Sequence, residues 1–438
     1  MSLPNILYLH SHDTGRYIEP FGHDIPAPNL SRLAKEGVLF RQLHCSCPTC
    51  SPSRGAMLTG QSAHSSGMLG LAHRGFRLND YSQHILSTLR GAGYHSSLIG
   101  AQHIAEDADS IGYDEIVDIE PGGGEAICEG AESFFENPPE EPFFVSVGYA
   151  TTHRKYAEPS GKGAEDPRYC CPPPPLPDTP ETRYDMASYK ASARKLDAEM
   201  GRVLKALDQS AVADETLVIC TTDHGIAFPY MKCNLTDHGT GVFMIMRGPG
   251  GFEGGRVLDS LLSHVDLFPT LCDLLEIQPP DWLEGKSFMP IIRGETEEIN
   301  DAIFTEVTFH AAYEPQRAVR TRRFKYIRRF GEMANRRVLA NCDGGPSKNV
   351  WIDSGWADRP VDEEQLYDLT FDPAETNNLA GEEEMGEVLD EMRGRLDRWM
   401  EETDDPLLEG EVPPPPGACV TPPDSVSAGQ NVRTVPKE

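Results

Sequence analysis

Short apolar runs of strand length alternate with stretches of helical periodicity through the first half of this chain, and few architectures accommodate that alternation. Residues 5–9 form an apolar run suited to a buried parallel strand, closed by His12-Asp13-Thr14-Gly15. Residues 29–36 read as a helix that stops at Gly37. The spacing further predicts a helix over 81–92, strands over 96–99 and 143–149, a long helix over 184–207 and a strand over 216–221. Strands separated by helices imply an α/β fold built on a doubly wound sheet. Ligands of such sheets gather at the carboxyl ends of the strands. Asp13, His103, His153 and Asp223 all follow predicted strands, which makes them candidate site residues before any motif is considered.

Near residue 290 the pattern changes. Residues 302–307, 317–319 and 323–328 read as short strands of an antiparallel sheet, followed by a helix over 387–401. The expected division is a catalytic domain over 1–290, a smaller α+β domain over 291–405 and a Pro-rich tail over 406–438. The tail has few apolar groups to bury and is expected to be disordered or to wrap the surface. Residues 158–182, with Cys170-Cys171 before four prolines, are expected to cross the surface as an irregular loop.

Acidic side chains outnumber basic ones by 69 to 39, a formal charge of −30. Nucleic acid is thereby excluded as a partner, since neutralising phosphates takes concentrated Lys and Arg. An anionic substrate would need a local cationic pocket. The first residues show no signal-peptide pattern and no stretch is long and apolar enough for a membrane span, so a cytoplasmic protein is expected. Eleven cysteines, an odd number scattered over a long chain, do not form a disulfide framework.

The most informative segment is Cys47-Pro48-Thr49-Cys50-Ser51-Pro52-Ser53-Arg54, continuing through Leu58-Thr59-Gly60 to Gly67. Cys45, Cys47 and Cys50 could open a zinc site, but no fourth ligand or second pair is suitably placed. A plain structural cysteine at Cys50 is another reading. Cys50-Ser51-Pro52-Ser53-Arg54 also resembles the Cys-x-Pro-x-Arg signature of sulfatases, in which the cysteine is oxidised to formylglycine. That resemblance implies chemistry suited to the motif. An aldehyde hydrate offers one hydroxyl to attack sulfur and a second to expel sulfate, dividing one hard step into two. Arg54 would hold the hydrate and the metal environment.

The chain resembles this family, with its alkaline-phosphatase-like mixed sheet flanked by helices, from residue 5 to about 379. Carried over by position, the resemblance implies a metal site of His12, Asp13, Cys50, Asp223 and His224, and catalytic roles for Cys50, Arg54, His103, His153 and Lys232. The family usually binds calcium. His12 stands where an aspartate is expected, and imidazoles at His12 and His224 favour manganese, iron or zinc. His103, in Gly100-Ala101-Gln102-His103, matches the base that releases sulfate, although Ala101 replaces the family's lysine. His153 matches the histidine near the leaving group, and Lys232 a sulfate-binding lysine. His10, His23, His44 and His64 receive no role. Leu176-Pro177-Asp178-Thr179-Pro180 and Gly225-Ile226-Ala227-Phe228-Pro229 resemble the sulfamidase, or heparan N-sulfatase-like, branch. The implied partners are a sulfated small molecule or carbohydrate and a formylglycine-generating enzyme. Two other readings stay open: a phosphodiesterase or phosphonate monoester hydrolase on the same fold, and a catalytically silent binding homologue.

Overall fold

The computed structural model describes residues 3–117, 119, 123–159 and 165–437. Its core is an eight-stranded mixed sheet. In spatial order the strands are Glu115–Val117, His95–Gly100, Phe143–Gly148, Asn5–Ser11, Thr216–Thr222, Met244–Arg247, Val38–Phe40 and Arg256–Leu258. Met244–Arg247 runs antiparallel to both neighbours, and every other pairing is parallel.

Alternation along each strand distributes the side chains between two cores. Ile6 and Tyr8 point into one, with Met57, Leu58, Ile85, Leu89, Phe268 and Leu271 from the overlying helices. Leu7 and Leu9 point into the other, with Leu30 and Leu33, Ile127 and Ala131, and the long helix Pro180–Gln209. That helix buries Leu196, Met200, Val203, Leu204 and Leu207, a 3.6-residue stripe facing the sheet. Each such side chain removed from water contributes about 1.5–3 kcal/mol. Thr179 and Thr182 form a capping box and Pro180 takes the first turn, which fixes where the helix begins.

Most of the expected elements form, and their differences have local causes. Residues 81–92 divide into the 3-10 turn Tyr81–Gln83 and the helix Ile85–Gly91, because the His84 ring accepts the Leu86 amide as an N-cap. The Pro-rich stretch after residue 158 does not merely cross the surface. Cys170 and Leu176 are buried against Tyr17, Met186 and Tyr189; residues 160–164 of it lie outside the described residues.

A second, antiparallel sheet runs Ile303–Phe309, Tyr313–Arg320, Phe324–Arg329, Glu364–Asp368. Its helix, Gly386–Glu402, packs Leu389, Met392, Leu396 and Met400 onto Val319, Tyr326 and Leu366. The tail returns toward the first domain. Val412 and Ala418 are buried, Cys419–Val420 pairs with Arg433–Thr434, and Arg74 donates to the carbonyls of Cys419 and Ala428. No helix among the described residues is long and apolar enough to cross a membrane.

Candidate active site

The carboxyl ends of four neighbouring strands converge on one buried centre. Asn5–Ser11 delivers His12 and Asp13, Thr216–Thr222 delivers Asp223 and His224, Phe143–Gly148 leads to His153, and His95–Gly100 to His103. Asp13 and His103 both adopt left-handed backbone conformations, with φ of 52° and 62°. These values are uncommon for residues with a side chain and cluster at functional sites. Gly148 leaves room for this packing, since a Cβ there would collide with the Ala101 carbonyl and the His10 ring.

Cys50 is the first residue of the helix Cys50–Thr59, every residue of which is buried. The helix N-terminus directs its partial positive charge at that position, which favours an anion beside it. Cys50 Sγ lies 3.3 Å from His224 Nε2 and 4.0 Å from Asp13 Oδ1. Burial pushes its thiol well above the ordinary range even though Lys232 pulls the other way. Unmodified Cys50 is therefore a neutral thiol and a poor nucleophile.

One helical turn later Arg54, 1 % exposed, anchors the centre. It donates to His10 Nδ1 and the Ser11 carbonyl, each at 2.6 Å, and to Asp223 Oδ2 at 3.1 Å. His10, which carried no role in the sequence, thus supports the arginine from below. Lys232 donates to Asp13 Oδ2 and Asp343 Oδ2, both at 2.9 Å. Burial acts to raise the Asp13 carboxyl, but Lys232 and His224 outweigh it and hold it below its usual value. For Asp223, His224 and Arg54 outweigh burial in the same way.

These donors suit a cation. Atoms of His12, Asp13, Cys50 and Asp223 all lie within 4.8 Å of one another. His12 Nδ1 is 3.0 Å from Asp223 Oδ2, yet it is buried without a hydrogen-bond partner. Burial, with Arg54 nearby, lowers His12 to about 4, so its ring is neutral at neutral pH. His224 donates its Nδ1 proton to the Gly225 carbonyl, and its Nε2 lies 3.3 Å from Asp13 Oδ1. Two imidazole nitrogens facing carboxylate oxygens call for a positive charge between them.

The rim carries two further histidines from the sequence reading. His103 is half-buried, and its Nε2 shares a 2.9 Å hydrogen bond with His73 Nδ1, the two rings being stacked. Burial, then the neighbouring His12 and Arg54, hold His103 well below its ordinary pKa. Exposed His153 donates from Nδ1 to the Arg154 carbonyl, and its ring centre is 6.0 Å from that of His12. Arg154 is a latch, paired at both nitrogens with Asp185 and packed on Tyr156.

All the residues singled out in the sequence therefore meet at one place. The structure adds His73 and Asp343, which sequence reasoning missed. His73 had a signal in the polar Ala72-His73-Arg74 turn after the Cys50 helix; Asp343 had only the Gly344-Gly345 pair that follows it.

A buried cysteine ringed by guanidinium, ammonium and imidazole groups suits a hydrolase acting on an anionic ester. The sulfatase profile matches residues 4–277. A second profile, N-sulphoglucosamine sulphohydrolase, C-terminal, matches residues 228–354. The chain belongs to the sulfatase family. It is 27% identical to human N-sulphoglucosamine sulphohydrolase over 88% of this chain and 87% of that protein. It is also 27% identical to an ulvan-active sulfatase of Formosa agariphila, over 91% and 74%. A solved 2-O glycosaminoglycan sulfatase shares the fold with a TM-score of 0.73 at 22% identity, covering 95% of this chain and 96% of that one. Another, in complex with its substrate D-glucosamine-2-N,6-O-disulfate, superposes with a TM-score of 0.70 at 18% identity, covering 92% and 98%. The mixed sheet and the small antiparallel domain are thus those of alkaline-phosphatase-like sulfatases, which hydrolyse sulfuric ester bonds.

Proposed function

We propose that this enzyme removes sulfate from a sugar, as an O-ester or an N-sulfamate, using formylglycine made from Cys50 by a formylglycine-generating enzyme in the cytoplasm. The observation that carries the reading is Cys50 at a buried helix N-terminus, between Asp13, His224 and Arg54. The sugar is favoured by the relatives, two of which are named for glucosamine and hexuronate sulfates. Formylglycine would supply, as its hydrate, one hydroxyl to attack sulfur and one to expel sulfate. A divalent cation bound by His12, Asp13, Asp223 and His224 would offset charge on the sulfate oxygens.

The remaining work falls to the chain's own groups. Arg54 fixes Asp223 and brings positive charge to the nucleophile. Lys232, poised between Asp13 and Asp343, meets negative charge that grows on the sulfate. His103, low in pKa, is neutral at neutral pH and so able to take the proton whose loss releases sulfate, with His73 holding its ring. His153 stands at the rim, where a leaving group departs.

The test pairs mass spectrometry of the Cys50 peptide with turnover. Formylglycine at Cys50 and faster hydrolysis of N-sulfoglucosamine or an aryl sulfate than of any phosphate diester are expected. A wholly thiol Cys50 in active protein, or phosphate diesters as the better substrates, would sink the reading.

The cation is a separate prediction. With His12 as a ligand, manganese, iron or zinc should support more activity than calcium, and His12→Asp should shift the preference back toward calcium. Metal-stripped protein refilled with each ion gives the answer. Clean calcium preference in both proteins would make His12 a bystander.

A further inference from the structure

Two residues before Lys232, Tyr230 enters a different cavity, of about 560 Å³, that no residue of the catalytic centre lines. Trp351, Trp356 and Tyr367 complete its aromatic wall, so it takes two of the chain's four tryptophans. Trp351 and Trp356 meet edge to face at 5.0 Å. Tyr230 has a φ of 69°, in the left-handed region that aromatic residues rarely adopt, and such outliers cluster at ligand clamps.

The charge here runs against that of the whole chain. Arg337 lies over the Trp356 ring at 5.7 Å, and no hydrogen bond or ion pair reaches its guanidinium among the described residues; its Nε is buried without a partner. Burial draws its pKa down, outweighing the opposite pull of Tyr230 and Glu314. Exposed Arg359 also lines the cavity without an ion pair among the described residues. The one carboxylate in the lining among the described residues, Asp362, accepts from the Asn378 amide at 2.9 Å. Trp356 is 8% exposed, and its Nε1 proton has no acceptor. In a chain of net charge −30, a half-buried arginine that no carboxylate pairs with among the described residues marks a place for an anion brought from outside.

We propose that this cavity is a second carbohydrate site, which takes an anionic sugar unit stacked on the aromatic wall, its sulfate or carboxylate held by Arg337 and Arg359. Planar aromatic faces cover the apolar face of a sugar ring, and indole N–H groups supply a donor beside it. Guanidinium forks bind sulfate and carboxylate alike through paired charge-assisted bonds. The volume falls within the range of small-ligand pockets. That the ligand is a sugar rests on the function proposed above; that it is anionic and stacks rests on the cavity alone.

The site is tested on Cys50→Ala protein, so that binding is read without turnover. Tryptophan fluorescence is titrated with a heparin-derived tetrasaccharide, a neutral oligosaccharide of equal length and sodium sulfate. The sulfated probe should quench saturably and the neutral one should not. Arg337→Gln and Arg359→Gln should each weaken binding about tenfold or more, the loss of one charge-assisted contact. Arg359 is exposed, so its variant will fold, and with Cys50 intact it should turn over an aryl sulfate at the wild-type rate. Absence of a saturable quench, or affinity unchanged in both arginine variants, overturns the site. Sodium sulfate binding as tightly as the tetrasaccharide overturns its assignment to a sugar. Neither outcome touches the catalytic reading, which the turnover of sugar sulfates by wild-type enzyme decides.

Discussion

Cys50→Ser should abolish steady turnover, by on the order of 10⁴-fold or more, while leaving the fold in place. Losses of that size follow removal of a covalent nucleophile in other hydrolases. Serine keeps one hydroxyl at the helix N-terminus, still within reach of His224. It can attack sulfur once. The resulting ester carries no second hydroxyl, so under the proposed mechanism, with His103 as the base, sulfate has no way out. At most one sulfo group per chain should accumulate, visible as a discrete mass increase of the intact protein. Because the exchange replaces sulfur by oxygen and alters no packing contact of the helix, thermal unfolding should stay close to wild type. Activity within tenfold of wild type would show that formylglycine is not the nucleophile.

Arg54→Met should be the most destabilising single change at the site, by about 3–5 kcal/mol. The methionine fills part of the volume but supplies none of the three donors that now reach His10, Ser11 and Asp223. Asp223 would then be a buried carboxylate that has lost a direct cationic partner, and an unpaired buried charge costs far more than the original pair contributes. A contrast makes the argument checkable. Arg395 pairs with Asp301 at 2.7 Å, but Asp301 is 79% exposed, so Arg395→Met should change stability by only about 0–1 kcal/mol. Comparing thermal midpoints in the presence of chelator separates the two cases. Equal effects would mean that burial at Arg54 is not what sets its importance.

The sheet was legible because its strands are buried on both faces and therefore read as continuous apolar runs, as residues 5–9 do. Site residues at strand ends were legible for the same reason, since a polar cluster after an apolar run marks a strand's carboxyl end. Residues outside those ends were not. Asp343 reaches Lys232 from the second domain, a juxtaposition across more than a hundred residues that leaves no local trace. His73 belongs to a surface turn, and its partnership with His103 is purely tertiary. His84 broke a periodic helix because its ring, rather than the backbone, satisfies an amide. The strand Glu364–Asp368 was not anticipated, since its buried run takes in the polar Gln365 and Asp368 and shows neither an apolar stretch nor a clean alternation.

The buried position of Cys50 also sets a timetable for synthesis. The folded protein offers that side chain to no outside enzyme, since the whole helix from Cys50 to Thr59 is enclosed. Any oxidation of Cys50 must be finished while the segment is still unfolded. Arg74, beside His73, is fastened by Cys419 and Ala428, which are made more than 360 residues after Cys50. At ribosomal rates of roughly 5–20 residues per second, they emerge tens of seconds after Cys50. Slower synthesis of the chain after Cys50 should therefore raise the fraction of molecules converted there, read by mass spectrometry of the Cys50 peptide.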